Sequence, residues 1–428
     1  MRVLVVGASG LIGCHVVARL IAGGFAVTGV ARDVTAACRR VPDVAWRSLD
    51  MASADVEAWL PALEGVTAVV NCAGALQDNP GDDLAGVHVR GLARLTEACA
   101  ASGVRRFIQI SASTIDRGGD AFSMTKQAGD ALLGRTGLDW LILRPGLVLA
   151  PTVHGGSALL RGLAGFPGVM PAVHADATIR LVSVEDLAEA VARSLAPGAP
   201  SRAALDLVSA EAVSLGALLV RLRAWLGFVP VRLVELPAPV ARLTAHLADA
   251  AAWLGWRSPM RSTALRQLAG GVDGRVGDAA VLGLDLQSLD RILAGRPSSV
   301  QDRRHARTYF LAPVILVGLS LFWLVSGLVG LASQVQATAV LTEAGMSTDL
   351  ARGFVLGGVG ADLTLAALVL VRRTSGWALA GMIAVTLAYL AGATLWRPDL
   401  WLDPLGPLVK TLPAALLALC ALTLQEKR

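Results

Sequence analysis

Tyrosine is almost missing from this chain: only Tyr309 and Tyr389 occur in 428 residues. Any chemistry that needs a phenol must use one of those two positions or do without it. Lysine is scarce too. The 38 basic residues include only Lys126, Lys410 and Lys427, leaving 35 arginines by difference. With abundant Ala and Gly this reads as a compositional bias, so the net charge of +5 does not point to nucleic acid. The five cysteines (Cys14, Cys38, Cys72, Cys99, Cys420) form no CxxC pair, which argues against a disulfide framework or a zinc site. The six histidines are dispersed and none belongs to an HExxH, so no metal site is expected. The opening MRVLVVGASG has a short apolar run that stops at Gly7, too short for a signal-peptide core, and the first domain is expected to stay in the cytosol. Charge is also low. At 17% charged, 54% hydrophobic and a mean hydropathy of +0.59, the chain is too apolar for disorder and calls for membrane spans.

Residues 1 to about 210 alternate short apolar runs with amphipathic stretches. Val3–Val6, Phe25–Val30, Val44–Leu49, Val66–Asn71, Arg106–Ser111 and Leu138–Leu143 read as strands. Leu11–Ala22, Ser53–Leu63, Leu84–Ala101, Ala121–Leu133 and Val184–Leu195 read as helices. The alternation predicts an α/β fold, a doubly wound parallel sheet covered on both faces. The boundaries expected are a nucleotide-binding domain over 1–200, a mostly helical substrate or interface region over 201–300, a basic linker over 301–308 and a membrane domain over 309–428. Within the second region Ala238–Leu254 reads as a helix ending near Trp253 and Trp256. Core packing of these tryptophans is the favoured reading, ahead of a contact with the membrane surface.

Four spans follow. Tyr309–Ala332 and Gly376–Trp396 carry no charge, Gly353–Val371 carries Asp362, and Leu405–Leu424 carries Lys410; each is long enough to cross about 30 Å of hydrocarbon. A cytosolic start places Arg303, Arg304, Arg307, Arg372, Arg373, Lys427 and Arg428 inside, against Arg352 and Arg397 outside. This satisfies the positive-inside rule, with the cytoplasmic membrane as location and both termini cytosolic. Asp362 and Lys410 differ in depth by about 6 Å at about 1.5 Å per residue, a gap a lysine stem spans, so an ion pair is expected between them.

The segment Gly7-Ala8-Ser9-Gly10-Leu11-Ile12-Gly13 follows the first strand and opens a helix. Gly7 permits a tight turn, Gly10 lets the backbone approach a pyrophosphate, Gly13 lets helix pack on strand, and the helix amides face the anion. After the second strand comes Ala31-Arg32-Asp33. The position for an NAD-selecting carboxylate is Ala31, and Arg32 offers a 2′-phosphate a planar fork of donors, so NADP(H) is expected, with NAD(H) the alternative that Asp33 keeps open.

Several ordered motifs carry a family resemblance over residues 1 to about 300. They are GASGLIG, then Asn71-Cys72-Ala73-Gly74, residues 105–111 (RRFIQIS), Leu143-Arg144-Pro145-Gly146 and residues 182–188 (VSVEDLA). Together they resemble the extended and atypical short-chain dehydrogenase/reductases, similar to NAD-dependent epimerases and dehydratases. The resemblance implies cofactor contacts at Gly7, Ser9, Gly10, Leu11, Ile12, Gly13, Ala73, Gly74, Lys126 and Pro145, and an adenine contact at Asp50. A helix cap is the plainer role for Asp50.

In that family a Tyr-x-x-x-Lys pair on one helix turn exchanges the proton and holds the nicotinamide ribose. Here the matching stretch is Phe122-Ser123-Met124-Thr125-Lys126, and Phe122 has no proton to give. Neither tyrosine has a lysine four residues on. Lys126 fits ribose binding, and Ser111 and Ser113 lie where the family places its substrate-orienting hydroxyl. Ser123, Thr114 and Thr125 lie nearby but are poorer donors than a phenol. His88 is an outside candidate, since it titrates near neutral pH.

The four-span tail resembles DoxX-like membrane domains, with Ala361-Asp362-Leu363-Thr364 in its second span and residues 403–410 (DPLGPLVK) entering its fourth. Two functional readings result. One is a membrane-anchored NADP(H)-dependent oxidoreductase or isomerase of non-standard mechanism acting on a hydrophobic or quinone-like molecule. The other is a non-catalytic nucleotide-binding redox sensor or accessory subunit of a membrane complex, with other membrane-protein subunits as partners. The lipid bilayer is a partner in both.

Overall fold

Arg2–Val6 is a strand whose four aliphatic residues are all buried, apolar toward both faces, as expected at the centre of a parallel sheet covered on both sides. The computed structural model describes residues 1–428 apart from 80, 153–154, 257, 405 and 426–428. Its first half runs β1 (Arg2–Val6), α1 (Leu11–Ala22), β2 (Ala26–Ala31), α2 (Val34–Arg40), β3 (Ala45–Ser48), α3 (Val56–Leu63) and β4 (Ala68–Asn71). It continues through α4 (Gly91–Ala101), β5 (Arg106–Ile110), α5 (Ala121–Gly134) and β6 (Asp139–Pro145). Then come β7 (Leu147–Leu149), α6 (Gly155–Ala164), β8 (Val169–Ala172), β9 (Thr178–Ser183), α7 (Val184–Ser194), β10 (Ala203–Leu207), β11 (Ala212–Ser214), α8 (Leu215–Trp225) and β12 (Arg232–Glu235).

The main sheet has the order β10-β6-β5-β4-β1-β2-β3, and all its pairings are parallel, with Val3 opposite both Val27 and Ala68. The chain builds outward from β1 to β3 and then returns to the other side of β1 with β4. That reversal leaves a crevice at the carboxyl ends of β1 and β4. One apolar layer packs α1 and α7 on the sheet through Val16, Leu20, Leu187 and Val191, and the opposite layer packs α3, α4 and α5 through Trp59, Leu92, Leu95 and Leu133. β7, β9 and β11 form a second small sheet and β8 pairs with β12.

The sheet gains a seventh strand that the sequence pattern does not show. β10 lies beyond residue 200, in the stretch expected to be mostly helical, and β11 and β12 follow it. β10 and β11 follow one another with no helix between them, so the alternation of strand and helix does not mark them. Helix α3 starts at Val56 rather than Ser53, because Asp55 is its cap and accepts from Ala58 N. The helix expected from Leu84 opens with a π-helical turn, Gly86–Arg90.

The chain divides into two compact units, Met1–Asp249 with Ser258–Ala306, and Ala250–Arg257 with Arg307–Arg428. Further elements are α9 (Ala238–Trp253), α10 (Ser262–Ala269), α11 (Leu289–Ala294) and α12 (Val300–Thr308). The second unit adds α13 (Leu311–Ala332), α14 (Gln334–Glu343), α15 (Thr348–Leu368), α16 (Ser375–Trp396) and α17 (Pro407–Leu424). Among the described residues four helices are long and apolar enough to cross a membrane: the run Val300–Ala332, α15, α16 and α17. Lys427, Arg428 and Leu405, used above in reading the spans, lie outside the described residues.

Core packing holds for Trp256 and not for Trp253, and the expected ion pair is overturned. Trp253 is 75% exposed rather than packed in a core, while Trp256 packs inside the membrane-type unit, donating Nε1 to Leu370 O at 2.6 Å beneath the Arg372 guanidinium. Asp362 and Lys410 make no ion pair: Lys410 is exposed, and Asp362 is buried, accepting from Ser326 Oγ at 2.6 Å and Tyr389 OH at 3.0 Å. Depth matched the two charges, but helix rotation did not. Asp362 turns toward α13 and α16, where hydroxyls meet it.

Candidate functional site

Gly7 ends β1 with φ +70°, a left-handed conformation that favours glycine, and a Cβ there would lie 2.8 Å from Ala73 N at the end of β4. Gly10 N donates to Gly7 O at 3.0 Å, closing the turn, and Gly10 then caps α1 with no side chain. The first amides of a helix have no intrahelical acceptor, so those of Leu11, Ile12 and Gly13 are available to an anion. A Cβ on Gly13 would sit 2.2 Å from Gly7 O, so only glycine lets α1 approach this closely. Ser9 is half-buried in the turn. The bare helix start and the missing β-carbons fit the pyrophosphate of a dinucleotide.

Across the crevice Asn71 is buried between two partners, donating Nδ2 to Gln109 Oε1 at 2.9 Å and accepting from Ala73 N at 3.1 Å. This fixes Ala73 and Gly74. A Cβ on Gly74 would meet Lys126 Nζ at 3.5 Å and His88 Nε2 at 3.7 Å, so Gly74, Lys126 and His88 converge. His88 Nε2 accepts the Ala75 amide at 3.2 Å, and a backbone amide can only donate. The proton therefore sits on Nδ1, 2.9 Å from Thr125 Oγ1. Burial, reinforced by the Lys126 ammonium, pushes the His88 pKa down to about 3. Its lone pair is occupied and its charged form disfavoured, so His88 orders the crevice and is a poor acid. Phe122 packs edge-on to it, ring centroids 5.8 Å apart.

This has a measurable consequence. The folded state depresses the His88 pKa below an unfolded value near 6.5, so the unfolded chain binds more protons below about pH 6.5. The contribution is present above that pH and is lost as pH falls toward about 3, by up to about 1.4 kcal/mol per pH unit. Asp130, pushed up by burial, acts in the opposite direction. Melting of the nucleotide-type unit is expected to fall more steeply with acid in the natural protein than in His88→Gln. Parallel curves would show that another group titrates.

Lys126 is buried, donates Nζ to Ile110 O at 2.9 Å, and has its pKa lowered by burial against the opposing charge of Asp130 one turn on. Ser111 donates to Asp130 Oδ2 at 2.9 Å, and Arg144 reaches the same oxygen through Nε and Nη2 at 3.2 and 3.1 Å. Sequence reasoning missed Asp130; its spacing of four from Lys126 was the available signal. Ser113 hangs from Pro145 O through its amide, but its buried hydroxyl has no partner among the described residues. Ser123 is tied to Asp120 and to Gln267 Nε2 at 2.7 Å, beside a cavity of about 440 Å³ lined by Thr114, Arg117, Asp120, Arg266 and Gln267.

Arg32 extends from the end of β2 and donates Nη1 to Gly81 O at 2.7 Å and Asp82 Oδ1 at 3.1 Å. Asp33 points away to cap α2, accepting from Ala36 N. Asp50 caps no helix: its carboxylate accepts from Ala52 N in a turn before α3, which Asp55 caps. Tyr309 and Tyr389 both lie in the second unit, leaving the nucleotide-type unit with no phenol.

Comparison with known proteins agrees with this geometry. Residues 7–196 match the NAD(P)H-binding family model, and residues 320–419 match the DoxX-like family model. An uncharacterized protein of Mycobacterium tuberculosis strain H37Rv is 28% identical over 198 residues, 46% of this chain. The match covers only 20% of that relative, so the chain spans about a fifth of its length. Among solved structures, a nucleoside-diphosphate-sugar epimerase from Staphylococcus aureus has a TM-score of 0.54 at 18% identity, covering 68% of this chain and 99% of that one. The NADPH-dependent quinone oxidoreductase of Escherichia coli, complexed with NADPH, gives the same four values. A short-chain dehydrogenase/reductase superfamily protein from Agrobacterium tumefaciens with bound NAD has a TM-score of 0.53 at 19% identity, over 73% and 99% of the two chains. At these identities the likeness is one of fold. The chain thus carries an NAD(P)-binding Rossmann domain, with short-chain reductases and epimerases as its fold neighbours, followed by a C-terminal DoxX-like domain with four apolar helices.

Proposed function

We propose that this protein is an NADP(H)-binding short-chain-reductase-type module, tethered to the cytoplasmic membrane by four spans, that holds its nucleotide without rapid turnover. It serves as a redox sensor or as an accessory subunit of a membrane complex. One observation carries the reading: the protic groups around Lys126, apart from the Ser113 hydroxyl, are already committed. Phe122 stands at the proton donor's position, Ser111 gives its proton to Asp130, Lys126 is held by Ile110 O, and the His88 lone pair is taken by Ala75. Cofactor holding survives in the glycine turn, Lys126, Ala73, Gly74 and Pro145, while donor chemistry does not. The nucleotide unit faces the cytosol in this reading because basic residues flank the inner ends of the spans, seven against two. To test it, full-length protein in nanodiscs would be assayed for co-purifying nucleotide and for NADPH oxidation with membrane extract and quinones. Bound nucleotide with no turnover supports the proposal; sustained turnover removes it.

Arg32 supports NADP(H), and Asp33 spends one carboxylate oxygen capping α2. Asp82 holds one edge of the Arg32 guanidinium, leaving the rest for a 2′-phosphate. Arg32→Ala is expected to weaken NADPH at least tenfold more than NADH. Equal weakening would refute the phosphate role.

A second reading, an oxidoreductase acting on a hydrophobic or quinone-like molecule, has one specific observation in its favour: the Ser113 hydroxyl is buried and has no partner among the described residues. An aliphatic hydroxyl is a much weaker acid than a phenol, so this route is slow.

A further inference from the structure

Away from the nucleotide crevice, a cavity of about 170 Å³ opens between α6, α8 and residues 287–296. Its walls are mostly apolar, from Leu149, Leu222, Ile292 and Leu293, with Trp225 on one side and a single buried guanidinium, that of Arg161. Arg161 is 6% exposed. Its Nη2 donates to Ala150 O at 2.9 Å, and its Cζ lies 5.5 Å from the centroid of the Trp225 ring. Nε and Nη1 are buried with no hydrogen-bond partner among the described residues. The adjacent acid, Asp302, stands 3.7 Å from Nε, beyond hydrogen-bond reach, and its other oxygen accepts from Ser299.

The remaining polar groups of the lining are engaged elsewhere. Gln287 donates to Asp186, Arg296 pairs with Glu185, and Ser183 caps α7. Arg161 is therefore the lining residue that keeps unused donors. A buried guanidinium with unpaired donors is costly unless something completes it.

We propose that this cavity is a second ligand site, taking a small carboxylate on a short apolar body, with Arg161 as its anchor. The volume is below the roughly 300–1,000 Å³ of pockets for drug-sized ligands, so the occupant is short. Asp302 offsets part of the guanidinium charge, which favours a monoanion over a doubly charged phosphate. The apolar walls meet the ligand's hydrocarbon part. The site shares no residue with the glycine turn and does not depend on the nucleotide reading.

The test is titration of the full-length protein in nanodiscs with butyrate, read by saturation-transfer NMR against empty nanodiscs, with butylamine and inorganic phosphate as comparison probes. Butyrate is expected to bind saturably, and butylamine not to bind. Arg161→Met should weaken butyrate at least tenfold with nucleotide affinity unchanged, and Leu293→Trp, which fills the cavity without removing the cation, should do the same. If Arg161→Met fails to fold, the Leu293→Trp variant and the amine decide. No saturable butyrate binding, equal binding of butylamine, tighter binding of phosphate, or butyrate affinity unchanged in the folded variants would overturn the proposal.

Discussion

Gly13→Ala is expected to raise the dissociation constant for nucleotide at least a hundredfold, measured by NADPH fluorescence titration of the full-length protein. The added carbon would lie 2.2 Å from Gly7 O and 2.8 Å from Ala8 Cα, both backbone atoms that cannot rotate aside. Helix α1 must therefore shift outward, carrying with it the Leu11 and Ile12 amides that would face a pyrophosphate. Overpacking of this kind costs about 1–3 kcal/mol in stability, occasionally more, and misaligned amides weaken anion binding further. Ser9→Ala is the control, because it leaves the backbone of the turn in place. Near-natural affinity in Gly13→Ala would mean that the nucleotide does not rest on this helix start.

Phe122→Tyr is expected to restore what the crevice lacks. Phe122 is half-buried at the start of α5, one turn before Lys126 on the same face, so a hydroxyl added to its ring would share that ammonium. Two results should follow. The introduced phenol should ionise below the usual value of about 10, visible as phenolate absorbance in a protein with only two natural tyrosines. NADPH-dependent reduction across a panel of aldehydes and ketones should rise by roughly 10²–10⁴, the usual range for a positioned general acid. A phenol with an ordinary titration and no gain in turnover, with nucleotide still bound, would show that Phe122 does not occupy the donor's place.

The features legible in the sequence are those fixed by neighbours along the chain. The glycine turn is local, because its conformation and the close approach of α1 depend on residues within one strand-turn-helix unit. The six apolar strand runs that alternate with helices up to Pro145 are visible as a pattern, and the apolar spans by their length. The strands β7 to β12 did not, since several of them follow one another with no helix between and so break that alternation. Asp130 was overlooked because its importance comes from meeting Ser111 and Arg144, which arrive from two other strands.

By itself the sequence determined the order of a dinucleotide-binding fold and a four-helix apolar tail, and the absence of a phenol from the first of them. These follow from residue identity and spacing. Only the tertiary structure decided what each polar group does. It turned Asp362 toward Ser326 and Tyr389 instead of Lys410, and Asp33 into a helix cap. It also fixed His88 as a neutral acceptor and left Arg161 with unused donors beside a cavity. The reason is that a hydrogen bond needs its partner within about 3 Å in a given direction. Spacing along one helix or strand cannot specify which side chain of another element will be there.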